Sequence, residues 1–417
     1  MNNFISKSRF ITLGLAVVFL PFSIRFCHLS LLIFLVVCLF EGDFANKARV
    51  IVKNPLAWIL PAFFLLHIVG ALYSDNVANA WVNVDKKLVL ILSPLVLVSA
   101  RPFSRKEING LMWSFVGACV VGSLMCLVNA MVASKTNVPL WNFGPPEPYL
   151  ELHSDASNKW PYFSYIGLSS GIGIHPTYFA LYLLACLLIV LRTITKRWLT
   201  IALVIYFLIF IVLLSSRIVI IATLLTMALA ASKRKFLVAG LIVMLIVVVV
   251  NPLVLYRNTQ EYTRKNFSLP PASFSDNPIS IRMSLLWLSF QAMREINPII
   301  GTGTGDVEDT IAALQEKYNV HNVLSTSDPH NQYLHTYIAL GTVGLLALLA
   351  VFAAPFWVMF RQKEFLVCVG LAAFMVVCLT ESAFELQKGI VLFALCVSII
   401  GNQVREWRFT TQQLNYA

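Results

Sequence analysis

Apolar residues along this chain run in long unbroken blocks. They cover 10–24, 29–41, 55–73, 88–100, 109–131, 172–191, 199–214, 218–231, 236–255, 335–360, 365–380 and 389–402. A helix needs about 20 apolar residues to cross a hydrocarbon core roughly 30 Å thick. Inside that core each backbone polar group must pair within its own segment, so the blocks predict helices. Nothing alternates with period two as the strands of a membrane barrel do. The pattern therefore predicts an all-α polytopic membrane protein with about 12 transmembrane helices. No small-residue cleavage site follows the first block, which predicts a retained helix and not a removed signal peptide. No internal repeat is evident.

Two polar stretches are long enough to be functional loops, at about 132–171 and 256–334. The second carries helical signals. A stretch from Asn277-Pro278 to Asn297 sets Ile281, Leu285, Leu288 and Ala292 at helical spacing. Leu286, Phe290 and Met293 fall on another face, which predicts burial on more than one side. Gly301-Thr302-Gly303-Thr304-Gly305 then breaks the pattern, and Asp306 opens a second short helix to about Tyr318. The organisation expected is helices one to nine over 1–255, a large folded outer loop over 256–334, and helices ten to twelve with a tail over 335–417.

Charge adds an orientation. Of 417 residues 58% are hydrophobic and only 12% charged, with a net charge of +11. With the N-terminus placed inside, the inner segments hold 18 of the 31 basic residues but 5 of the 20 acidic ones. Basic residues favour cytoplasmic loops. The positive balance thus reads as a positive-inside signature with both termini cytoplasmic, not as a nucleic-acid surface. The eight cysteines all lie in or beside apolar blocks and show no CxxC spacing, so they read as small packing residues and not as a disulfide framework or zinc site.

The candidate chemistry gathers on the outer side of this topology. His330, in Asp328-Pro329-His330-Asn331-Gln332-Tyr333, stands where the large loop re-enters the membrane, and a neutral imidazole there can accept a proton from a hydroxyl. Asn331 either orients it or caps the next helix. Arg282 lies among apolar neighbours on the loop helix, and arginine matches phosphate by paired hydrogen bonds. The bland alternative is a snorkelling or salt-bridged side chain. Arg217, after Leu213-Leu214-Ser215-Ser216, sits at the outer end of a helical hairpin, where a charge at membrane depth marks function or reaches for headgroups. His175-Pro176-Thr177-Tyr178 opens the sixth block, with proline suited to a first helical turn and His175 as a possible cap. Tyr73 through Lys87 reads as an interfacial connection, with Trp81 in an aromatic belt and Lys86 and Lys87 able to touch headgroups or a phosphate. The glycine run 301–305 lacks the Gly-Lys-Ser/Thr of a phosphate loop and reads as a hinge. No carboxylate cluster or histidine spacing argues for a metal.

These stretches together resemble the O-antigen ligase and polymerase superfamily. His330-Asn331-Gln332-Tyr333-Leu334 followed by Gly341-Thr342-Val343-Gly344 is similar to its His-Asn-x-x-Leu box and Gly-x-x-Gly. Ser215-Ser216-Arg217, then Arg282 with Trp287, Asn297-Pro298 and Gly301-x-Gly303, and Ile174-His175-Pro176-Thr177-Tyr178 are similar to further family stretches. One departure is that Ala339-Leu340 stand where many members carry an acid. The resemblance implies an inner-membrane glycosyltransferase with its site facing the periplasm. It would move a glycan from a polyprenyl-pyrophosphate donor to lipid A-core, with inversion, without metal or cofactor. His330 would be the base, Arg217 and Arg282 the pyrophosphate ligands, and Asn331, Tyr333 and His175 supporting residues. The partners implied are donor, lipid A-core or another glycan acceptor, and membrane lipids, with no nucleic acid. Glycan polymerisation is the sister activity. A lipid or glycan transporter is the rival from another class, since twelve spans suit many transporters.

Overall fold

The computed structural model describes residues 2–136, 139–141, 159–194, 196–231, 278–318, 320 and 327–414. Every regular element among them is helical. In chain order the α-helices are α1 (Asn2–Phe19), α2 (Ile24–Leu39), α3 (Phe44–Lys53), α4 (Ile59–Leu72), α5 (Val77–Lys86), α6 (Val89–Ser93), α7 (Arg105–Thr136), α8 (Tyr165–Ser169), α9 (Pro176–Thr193), α10 (Arg197–Leu213), α11 (Arg217–Ala231), α12 (Pro278–Glu295), α13 (Val307–Lys317), α14 (Gln332–Arg361), α15 (Phe365–Val377) and α16 (Gln387–Leu414). Eleven of the twelve apolar blocks thus coincide with helical segments, and the block at 236–255 lies outside the described residues. Among the described residues five stretches are long and apolar enough to cross a membrane: Pro55–Leu72, Arg105–Thr136, Pro176–Thr193, Gln332–Arg361 and Gln387–Val404. A sixth is added if Ile24–Leu39 and Phe44–Lys53 count as one.

The chain forms two compact units that interleave along the sequence. The first comprises the described residues of Met1–Glu41, Phe103–Thr259 and Glu364–Phe374. In it α1 packs on α2 and α7, and α9 packs on α7, α10 and α11. Arg9 and Glu41 form a buried ion pair, and the Arg9 guanidinium lies 4.3 Å from the Phe103 ring centre. Such a charge is tolerated at depth because it is paired.

The second unit comprises the described residues of Gly42–Pro102, Gln260–Lys363 and Met375–Ala417. The two helices expected in the second long polar stretch appear where the sequence puts them, α12 from Pro278 and α13 after Asp306. One face of α12, with Leu285, Leu288 and Ala292, joins Val307, Ile311 and Leu314 of α13 and Ile338, Ala339 and Leu340 of α14 in one apolar core. The other face is less buried than its composition predicts: Phe290 is 49% exposed.

The apolar block 335–360 is not one continuous helix. It starts at Gln332 and is broken at Gly341, whose φ of 62° and ψ of −157° no side-chain-bearing residue holds easily. The break is filled by the segment after α12. Thr302 N and Gly303 N donate to Ile338 O and Ala339 O, and Thr342 N and Val343 N donate to Pro298 O and Ile299 O. Backbone freed within a membrane helix must find partners in protein, and here it does.

The same contacts correct the hinge reading of the glycine run. Residues 301–305 are a docked turn. A Cβ on Gly301 would stand 2.4 Å from Ile338 O, and one on Gly305 2.3 Å from Asn76 O. Thr304 Oγ1 donates to His67 O, and Asn83 Nδ2 to Thr304 O. Asp306 accepts from Asp75 N and Asn76 N, so its carboxylate ties the turn to the α4–α5 connection and does not cap α13. Replacing Gly341 with alanine puts a Cβ 2.3 Å from the Ile299 carbonyl, on a disfavoured backbone. The expected cost is at least about 1–3 kcal/mol, read as a lower melting midpoint in detergent. Gly117→Ala, inside α7 with nothing within 4 Å of the new methyl, is the control and should hold or slightly raise it, because alanine is the better helix former.

Candidate functional site

The site is built at the corner that leads into α14. His330 sits at φ 48°, in the left-handed region, where a residue with a side chain is uncommon and worth explaining. The corner is held from several sides. Asp328 Oδ1 accepts from His330 N at 3.0 Å and from Ser382 Oγ at 2.6 Å. Asn331 is the cap of α14: its Oδ1 accepts from Tyr333 N and Leu334 N at 3.0 and 3.1 Å, while its Nδ2 donates to Leu379 O at 2.9 Å. Of the two roles open to Asn331, the geometry gives the cap. Tyr333 OH donates to Met375 O at 3.0 Å. Asn331 and Tyr333 thus support the corner, and the half-buried His330 ring is the side chain it presents.

Arg282 reaches this corner from the second turn of α12. Its guanidinium donates to Glu381 Oε1 at 3.1 Å, and the two side chains are unequally covered, 46% exposed for Arg282 and 6% for Glu381. Burial pushes the Glu381 carboxyl above the usual carboxylate range, with Arg282 and His330 pulling it back. Arg282 thus pairs directly with Glu381, while His330 is tied to the Glu381 turn through Asp328, which accepts from both His330 N and Ser382 Oγ. The bland reading of Arg282 as salt-bridged is correct for its inner edge, while the rest of the guanidinium faces outward.

Below the corner lies a buried polar cluster. Lys87 is fully buried and pairs with Glu385 at 2.5 Å, which His335 Nδ1 also approaches at 3.3 Å. Gln332 accepts from Phe384 N at 2.6 Å and donates to Thr336 Oγ1 at 3.1 Å. Lys87 is thus no headgroup contact: its ammonium is spent on Glu385 inside the unit. Burial alone would raise the Glu385 carboxyl, but His335, Lys87 and His67 outweigh it and hold it well below the usual carboxylate range.

Arg217 and His175 belong to the first unit. Arg217 is the first residue of α11, behind Ser215 at φ 51°. Ser216 Oγ donates to Thr177 Oγ1 at 3.2 Å, which joins the Ser-Ser-Arg and His-Pro-Thr-Tyr stretches. His175 occupies the cap position of α9 without a side-chain cap bond, so its position but not its side chain does what a cap would do. Its ring stands edge-on to Tyr165 and Tyr178 at 6.3 and 6.2 Å, and Tyr165 is again left-handed at φ 49°. Of the five left-handed non-glycine residues among those described, Ser215 and His330 lie in candidate stretches and Tyr165 stands against His175.

The sequence pattern assigns no role to Glu381 or Glu385. The signal that marks them is that two acids stand four residues apart in a chain this poor in charge. The acid missing before the Gly-x-x-Gly also finds its reason, since Ala339 and Leu340 are core residues, 1% and 4% exposed. The carboxylates at the corner come from Asp328 and Glu381. Among the described residues no group of three His, Cys, Asp or Glu could hold a metal ion.

Residues 201–349 match the family model described as O-antigen ligase. The matched stretch contains Arg217, Arg282, His330, Asn331 and Tyr333 and ends inside α14, before Glu381. No curated protein matches the chain.

Proposed function

We propose that this chain, which belongs to the O-antigen ligase superfamily, transfers a glycan from a polyprenyl-pyrophosphate donor to a sugar hydroxyl of lipid A-core. The observation that carries the reading is the corner itself, where one turn holds both a histidine in a strained backbone, through Asp328 and Ser382, and a half-exposed arginine, through Glu381. His330 takes the proton of the acceptor hydroxyl, whose oxygen attacks the anomeric carbon. The bond from that carbon to the pyrophosphate oxygen breaks from the opposite side, which inverts the centre. The leaving pyrophosphate gains negative charge, and Arg282 stabilises it by paired hydrogen bonds. The Ser-Ser-Arg stretch supports Arg217 as a second pyrophosphate ligand. The chemistry needs no cofactor, because the arginines supply the positive charge. The positive-inside count supports twelve spans in the inner membrane, both termini cytoplasmic and this corner facing the periplasm.

The test is transfer by the purified full chain in nanodiscs, with polyprenyl-pyrophosphate glycan offered alone or together with lipid A-core. Glycan on lipid A-core is the expected product. Longer glycan from donor alone would make the protein a polymerase. Movement of donor across the bilayer without transfer would replace both with a transporter.

A further inference from the structure

We propose that Glu381 is the internal counter-anion of Arg282, a positioning residue that holds the guanidinium for a pyrophosphate and, through its charge, limits how tightly that pyrophosphate is held. The inference rests on the reading that Arg282 meets the donor pyrophosphate. Three observations lead to it. The pair is asymmetric, with a buried carboxylate and a half-exposed guanidinium, so Glu381 covers one edge of a fork that offers five N–H donors and leaves the rest outward. The turn that carries Glu381 is fixed on both sides, by Asn331 Nδ2 on Leu379 O, by Ser382 Oγ on Asp328 and by Phe384 N on Gln332. The other two carboxylates nearby have other work: Asp328 accepts from His330 N and Ser382, and Glu385 pairs with Lys87.

A fixed acceptor removes freedom from a long side chain before the ligand arrives, which favours binding. Its charge acts the other way, because a carboxylate behind the arginine repels the incoming phosphate oxygens. That repulsion grows during the reaction. The donor is a pyrophosphate diester with about two negative charges, and the prenyl pyrophosphate that leaves is a monoester with about three near neutral pH. Glu381 therefore weakens the hold on product more than on donor and promotes release.

Binding of geranylgeranyl pyrophosphate to the full chain in nanodiscs separates the possibilities. Arg282→Ala is expected to lose binding. Glu381→Gln keeps an oxygen acceptor for Arg282 but no charge, and is expected to bind the probe on the order of tenfold tighter than wild type. In transfer it should show a lower donor KM together with a lower kcat, a split that loss of structure does not produce. Glu381→Ser removes the charge in a smaller side chain and gives the same comparison if the glutamine variant fails to fold. Glu381→Asp keeps the charge and should stay weaker than either neutral variant. If Arg282→Ala loses the probe but both neutral variants bind it no tighter than wild type, the counter-anion role is overturned and the Arg282 assignment stands. If Arg282→Ala binds like wild type, Arg282 is not the pyrophosphate ligand and the role of Glu381 fails with it.

Discussion

Glu385→Gln is expected to destabilise the protein by about 3–5 kcal/mol, the usual cost of removing one partner from a buried ion pair. Lys87 and Glu385 are 1% and 11% exposed, so the ammonium left behind has little access to water. The damage extends beyond the pair, because His335 approaches the same carboxylate and Gln332 Nε2 reaches it at 3.4 Å. A well-packed neutral pair of similar volume restores the balance. Lys87→Met combined with Glu385→Gln should therefore be more stable than Glu385→Gln alone, a non-additivity that a double-mutant cycle reads directly. The pH dependence has a definite sign. The folded carboxyl of Glu385 lies below its unfolded value of about 4.3. Its contribution is complete at neutral pH and fades as pH falls below that value toward the folded one. Between pH 7 and pH 3 the melting midpoint in detergent should fall further for wild type than for the double variant. A wild-type midpoint for Glu385→Gln would show that the cluster does not hold this unit together.

This cluster also shows where sequence reading stops. The apolar blocks, α12 and α13 follow from periodicity and from proline and asparagine at their ends, which are local signals. His330, Arg282 and Arg217 were legible because each sits in a short recognisable stretch. Glu381 and Glu385 sit in a plain connection between two apolar blocks, and their partners lie 99 and 298 residues away. No periodicity carries such a pairing. The same holds for the break in α14. Gly341 is visible as a glycine, but helical spacing runs through it, and only the Pro298–Gly303 backbone lying against it makes the break stable. The glycine run looked mobile by composition and is fixed for the same reason, since small residues let backbones approach closely. The second face of α12 misled because apolar composition in a membrane protein does not separate a buried face from an exposed one.

His330→Asn is expected to abolish glycan transfer while leaving the fold intact. Removal of a general base costs about 10²–10⁴-fold in rate, and among the described residues at the corner the other candidates are already engaged. Asp328 is occupied by His330 N and Ser382, and Glu381 by Arg282. Asparagine is the informative replacement. It tolerates the left-handed backbone that His330 adopts at φ 48°, whereas alanine adds strain there that could be mistaken for a catalytic defect. Its short amide carries no basic nitrogen. Arg282, the proposed pyrophosphate ligand, is untouched, so donor affinity should stay near wild type as kcat collapses. The geranylgeranyl pyrophosphate assay provides that control. Transfer by His330→Asn at the wild-type rate would show that the acceptor proton leaves by another route, and would move attention to Asp328. Loss of probe binding together with turnover would make His330 a donor ligand and not a base. Intact binding with no product ties the strained corner at the head of α14 to the chemical step.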